Sequence, residues 1–213
     1  MATGATIITK FENMVQDTID SDFAYQLLND AKDEVESSLE WEQLKKETSY
    51  SVSSGYSFTS TIGTLPTRFA MPVRMVEDTS YVDYAKVDFD DRYARANHPL
   101  GYFIDLANGN IYLSGSNHNA KTMYFYYTEY SADITSGSEW SFPSRFHSIL
   151  PIKMAELYYA SDAGEKSRSW DDRWSAQYER ELNRMMSWND KLKMVNRSPR
   201  RRADYNNPKG VNL

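Results

Sequence analysis

The sequence predicts an α+β fold: a helical bundle drawn from both ends of the chain, a small inserted antiparallel β domain, and an extended C-terminal arm. Three observations predict it. Apolar residues recur every three or four positions up to about residue 47 and again from about residue 143, but closer to every second position between. Asn108-Gly109 sits between two alternating apolar runs, the strongest short hairpin signal in a sequence. All periodicity stops at Asn196. The expected divisions are therefore N-terminal helices over 1–47, a β-rich insert over 48–142, C-terminal helices over 143–196 and a basic arm over 197–213.

The elements follow in order. Thr9-Lys10-Phe11-Glu12 has the capping-box pattern, which predicts a short helix over about 9–19 with Phe11, Met14, Val15 and Ile19 on one stripe. Asp20-Ser21-Asp22 caps a second helix, whose apolar face is Phe23, Leu27, Leu28, Ala31, Val35 and Leu39. Its end is expected near Lys45-Lys46, where cations suit the C-terminal dipole. From Ser49 to Thr64 the alternation of Tyr50, Val52, Tyr56, Phe58 and Ile62 predicts strand. Pro66 and Pro72 bound an edge segment that leads into Val73–Val76. The segments 81–84 and 86–91 alternate but are rich in acids, and the hairpin 102–113 is the firmest β signal.

The stretch Thr122–Tyr159 joins the β-rich half to the helical half. It begins as a dense aromatic strand, Met123 to Tyr130, passes Phe142-Pro143-Ser144-Arg145-Phe146-His147, and becomes a helix through Leu150, Met154, Leu157 and Tyr158. Either Ser144 or Ser148 can start that helix; with Ser148, Pro151 falls in the first turn, where its missing N–H does little harm. The last helix carries the stripe Trp170, Trp174, Tyr178, Leu182, Met185, Leu192 and Val195, and Asn196 and Pro199 end it.

Composition narrows the function classes. With 40% apolar and 14% aromatic residues in 213, the chain is a folded protein, expected as one compact unit with two lobes. Sixteen tyrosines suit half-buried sheet surfaces and subunit contacts. The absence of cysteine excludes disulfides and thiolate metal sites. No signal peptide and no membrane span is expected, because no segment approaches the roughly 18 apolar residues a span needs. Charge is unevenly placed within the net −6: from Glu165 onward twelve Lys/Arg face seven Asp/Glu, which leaves −11 on residues 1–164. An acidic body with a basic tail suggests an arm that seeks an acidic partner.

The search for chemistry yields no enzyme. His98, His118 and His147 reproduce no metal-ligand spacing, and no cofactor site is legible. Asp88, Asp90 and Asp91 lack the glycine and terminal glutamate of a calcium loop and read as a solvated strand edge. No nucleophile elbow, phosphate loop or dinucleotide fingerprint occurs. Arg200-Arg201-Arg202 could contact phosphates by charge, but an acidic body repels a duplex, so carboxylates of another protein are the better match. A second reading has a basis in residue types, a carbohydrate-binding module with the sheet's aromatics as stacking platforms; a hydrolase would need a carboxylate site that no pair in the sequence marks.

The order of motifs resembles the head-to-tail adaptor (neck, connector or gatekeeper) proteins of tailed bacteriophages. It rests on a short capped helix; a helix ending in Glu40-Trp41-Glu42-Gln43-Leu44; Leu65-Pro66; Pro99-Leu100-Gly101-Tyr102-Phe103-Ile104; Asn110-Ile111-Tyr112-Leu113; Phe125-Tyr126-Tyr127-Thr128; Phe142 to His147; and a terminal helical pair. It covers most of residues 9–196, and Ser114-Gly115 departs from it where a proline-containing segment is expected. The resemblance implies a non-enzymatic virion structural protein, made in the host cytoplasm and built into the neck. It implies a homo-oligomeric ring, a dodecamer, whose partners are the portal protein and a tail or nozzle protein. Genomic DNA passes through the ring's channel with transient, non-specific contact. It also implies a portal-docking arm comprising Arg197, Arg200, Arg201, Arg202, Tyr205 and Leu213.

Overall fold

The computed structural model describes residues 2–91, 93–94, 100–115, 120–161 and 168–196, with backbone alone at 168–172 and 196. The chain divides into two compact units, one formed by Met1–Val35 and Asp133–Leu213, the other by Glu36–Ala132.

In the first unit, α1 (Gly4–Val15) buries Ile7, Phe11 and Val15, one residue per turn. It starts well before the expected Thr9, because its first N–H groups find acceptors far along the chain. Gly4 N donates to Ser138 O at 3.0 Å and Ala5 N to Ser136 O at 3.4 Å. This approach excludes any side chain at Gly4: a Cβ there would lie 2.2 Å from Thr135 O. Thr9 is thus inside the helix, and its hydroxyl donates back to Ala5 O instead of forming a capping box. The second helix, α2 (Ser21–Ser37), is capped as expected, with Asp20 Oδ1 accepting from the N–H groups of Asp22 and Phe23 at 3.0 and 3.2 Å. Ala24, Leu27, Leu28, Ala31 and Val35 form its buried stripe.

The fold turns into α3 (Ile149–Ala160) through a 3-10 turn, Ser144–Phe146, with Ser148 in the cap position and Pro151 third in the helix. α3 is buried nearly all round, so it lacks an amphipathic stripe. It packs on α1, where Phe11 meets Tyr158 edge-to-face at 5.8 Å, and on α4 (Arg168–Asn196). On α4 the expected stripe holds at Trp174 and Met185, both buried, but Val195 is 76% exposed. Trp188, outside that stripe, packs against Phe142 and Phe146, and Val195 lies about two turns past this contact. The side chain of Trp170 lies outside the described residues.

The second unit overturns the expected fold class. In place of a small antiparallel insert within a helical bundle, the chain builds a mixed α/β structure whose sheet has seven strands and its own core. The strands are β1 (Lys45–Val52), β2 (Gly63–Thr64), β3 (Phe69–Glu77), β4 (Asp83–Lys86), β5 (Gly101–Asp105), β6 (Asn110–Leu113) and β7 (Lys121–Glu129). Their order is β1-β7-β3-β4-β5-β6-β2, antiparallel except for the parallel pair β4–β5. The sheet curls until its edges meet and is nearly a closed barrel. Tyr50 of β1 lies over Gly63 of β2, where a Cβ would come within 2.3 Å of the ring, and its hydroxyl donates to Thr64 O at 2.8 Å.

Two local expectations also change. Lys45-Lys46 opens β1 instead of closing a helix, because the chain leaves α2 at Ser37 and buries Trp41 completely in a non-helical stretch. The aromatic strand is β7, central between β1 and β3, with Met123, Phe125 and Tyr127 facing the barrel interior. The Asn-Gly hairpin is β5–β6, with Gly109 at φ 65°.

Candidate interaction surfaces

The hairpin that the sequence marks most clearly also builds a concave aromatic surface. Alternation sends Tyr102, Ile104, Ile111 and Leu113 into the barrel, so their neighbours Phe103 and Tyr112 stand on the outer face. These two are direct cross-strand partners, and their rings stack at 5.1 Å and 9°. Phe89, from the 3-10 turn Phe89–Asp91, leans on both at 6.1 and 6.5 Å. Phe58 and Tyr93 add an edge-to-face pair at 6.1 Å. Together the five rings line a cleft of about 200 Å³ with Thr59 and Asp105 at its margin. Asp105 serves the turn: its Oδ1 accepts from the N–H groups of Ala107 and Asn108, and its Oδ2 from the Asn108 amide. This cleft was legible only in part, since the hairpin register implies the Phe103–Tyr112 pair whereas Phe58, Phe89 and Tyr93 arrive by tertiary structure.

Inside the barrel Lys121, Glu77 and Tyr84 form a paired polar group. Lys121 Nζ donates to Glu77 Oε2 at 2.8 Å and to the Tyr84 hydroxyl at 2.7 Å. The Lys121 ammonium holds the Glu77 carboxyl below its usual range against the opposing effect of burial. Burial pushes the phenols of Tyr50, Tyr56 and Tyr102 up to about 12. Such groups are proton-holding structural elements at neutral pH. His147 is likewise structural: it is buried, and its Nε2 donates to Phe142 O at 2.7 Å.

Charge decorates the outside. Asp88, Asp90 and Asp91 are exposed on and beside the turn that supplies Phe89, and not on a strand. Among the described residues no group of three or more His, Cys, Asp or Glu is arranged to hold a metal ion. No described helix is long and apolar enough to cross a membrane. The expected docking residues Arg197, Arg200, Arg201, Arg202, Tyr205 and Leu213 lie outside the described residues, as do His98 and His118.

No curated protein matches the chain. The model of the SU10 adaptor protein family matches residues 2–204, which span both compact units and the first part of the basic segment. That extent leaves no part of the fold unaccounted for, and the chain belongs to the SU10 adaptor proteins, a family of bacteriophage structural adaptors.

Proposed function

We propose that the protein is a head-to-tail adaptor that closes into a homo-oligomeric ring, a dodecamer, between the portal and the tail or nozzle protein, with the genome passing through its channel. The family match over 2–204 is the observation that carries the reading. Charge supports it: the −11 on residues 1–164 suits a channel wall that does not hold phosphates, since strong phosphate pairing would slow DNA passage. Exposed side chains such as Leu106 and Met194, each more than 70% exposed, suit contacts between copies or with neighbouring virion proteins.

The segment 197–213 serves as the portal-docking arm. It has five Lys/Arg against one Asp, no apolar periodicity, and Tyr205 and Leu213 as anchors. Arginine fits carboxylates bidentately, and a segment that orders only on docking bears its entropy cost at assembly. Deletion of residues 197–213 tests this: portal attachment is expected to vanish while the body keeps its thermal unfolding transition. Attachment that survives the deletion contradicts the role of the arm. The protein would be made in the host cytoplasm and end in the virion neck.

A further inference from the structure

The five-ring cleft on the outer face of β5–β6 is not explained by packing of the barrel, whose core lies on the opposite face of the same strands. Its floor is Phe103, while Tyr93 at the rim is 66% exposed. A volume of about 200 Å³ is below the roughly 300–1,000 Å³ of small-molecule sites, and it suits one large side chain of an extended peptide. The rings offer π faces that attract guanidinium groups and stack on Tyr or Pro. The exposed carboxylates of Asp88, Asp90 and Asp91 border the same turn and favour a basic segment. Arg-on-aromatic pairing already recurs in this chain, with Arg74 4.5 Å from the Tyr126 ring and Arg145 4.8 Å from that of Phe146.

One segment of this chain has the matching chemistry. Residues 197–213 combine Arg200-Arg201-Arg202 with Tyr205, Pro199 and Pro208. We propose that the cleft of one copy receives the C-terminal segment of a second copy, with Tyr205 seated among the rings and the arginines facing Asp90 and Asp91. This is a heterologous, head-to-tail contact, the kind that closes rings. In this arrangement Arg200–Arg202 and Tyr205 bind the neighbouring copy and no longer touch the portal directly; the eight residues from Asn206 to Leu213, which reach roughly 26 Å when extended, remain to dock on it with Leu213 as the anchor. The inference rests on the ring reading only in requiring a neighbouring copy.

The absence of native cysteine makes covalent capture clean. Two full-length chains of different tag mass are mixed under mild oxidation, one carrying Thr59→Cys beside the cleft with all five rings kept, the other Asn206→Cys. A disulfide-linked heterodimer is expected, with a several-fold lower yield when Tyr205→Ala or Asp90→Lys with Asp91→Lys is added, and again in high salt. A chain with Tyr81→Cys in place of Thr59→Cys is the control, because Tyr81 is 78% exposed and does not line the cleft. Equal capture at Tyr81→Cys, or capture only within a single chain, overturns the proposal and leaves the cleft to a different partner. Light scattering on the same samples separates the two levels of the argument. Association without the 59–206 link overturns the cleft assignment alone, whereas no association with or without portal overturns the ring reading and this inference with it.

Discussion

Tyr50 on β1 joins Thr64 on β2, at the two ends of the strand order, through a hydroxyl-to-carbonyl hydrogen bond of 2.8 Å. The contact works because position 63 has no side chain: the Tyr50 ring occupies the space a Cβ would need. Tyr50→Phe keeps the ring and removes one hydrogen bond, an expected loss of about 0.5–1.5 kcal/mol in urea unfolding. Gly63→Ala forces the ring away and is expected to cost more than Tyr50→Phe. An equal or smaller loss for Gly63→Ala shows that the edges do not rely on this contact.

The raised phenols predict alkaline sensitivity. Tyr50, Tyr56 and Tyr102 have folded-state values of about 12 against an ordinary 10, chiefly from burial. A raised value means that the folded state favours the protonated form. Its stabilising contribution is therefore complete below pH 10 and is lost as pH rises from 10 towards 12. Thermal midpoints measured across that window are expected to fall, with tyrosinate absorbance at these sites appearing only with unfolding. Titration of all sixteen tyrosines near pH 10 in a folded protein contradicts their burial.

Lys121, Glu77 and Tyr84 form one polar cluster within the barrel. Lys121→Met leaves the Glu77 carboxylate, only partly exposed, without its cation, at an expected cost of about 1–3 kcal/mol. Adding Glu77→Gln should recover part of that loss, because the uncompensated charge is removed. Glu77's depressed value also means that its contribution is present above its ordinary value of 4.5 and fades as pH falls below it. Additive effects of the two substitutions would show that the groups do not interact.

Asn29 holds the chain where it re-enters the first unit: Ile134 N donates to its Oδ1 at 2.8 Å, and its Nδ2 donates to Ile134 O at 3.4 Å. Asn29→Ala loses both and should cost about 1–3 kcal/mol, and Asn29→Asp, which sets a carboxylate oxygen against the carbonyls of Tyr25 and Ile134 where the amide donated, should not be milder. Faster amide exchange at Ile134 in the alanine variant is the local signature to measure.

What the sequence could reveal was local. The Asp20 cap, the stripe Leu27, Leu28, Ala31 and Val35, and the Asn108-Gly109 turn are each set by neighbours a few residues away, and each is found. The rest depends on distant partners. α1 begins at Gly4 because Ser136 and Ser138 supply its first acceptors, which no local pattern announces. β1 reads Lys-Lys-Glu-Thr-Ser, poor in apolar residues, and is a strand because β7 lies beside it in register from Lys45↔Thr128 to Val52↔Lys121. β2 has two residues, too short for any period to show, and the two-residue parallel pairing of β4 with β5 is announced by no local pattern. These pieces turn a small insert into a seven-stranded, nearly closed sheet, and the outer aromatic cleft follows from the same long-range pairing.

The most direct test of the central claim is electron microscopy of the full-length protein mixed with its portal. Closed rings of many copies seated on the portal, each with an open central channel, are expected. Single copies scattered on the portal, or no association with it, would contradict the claim.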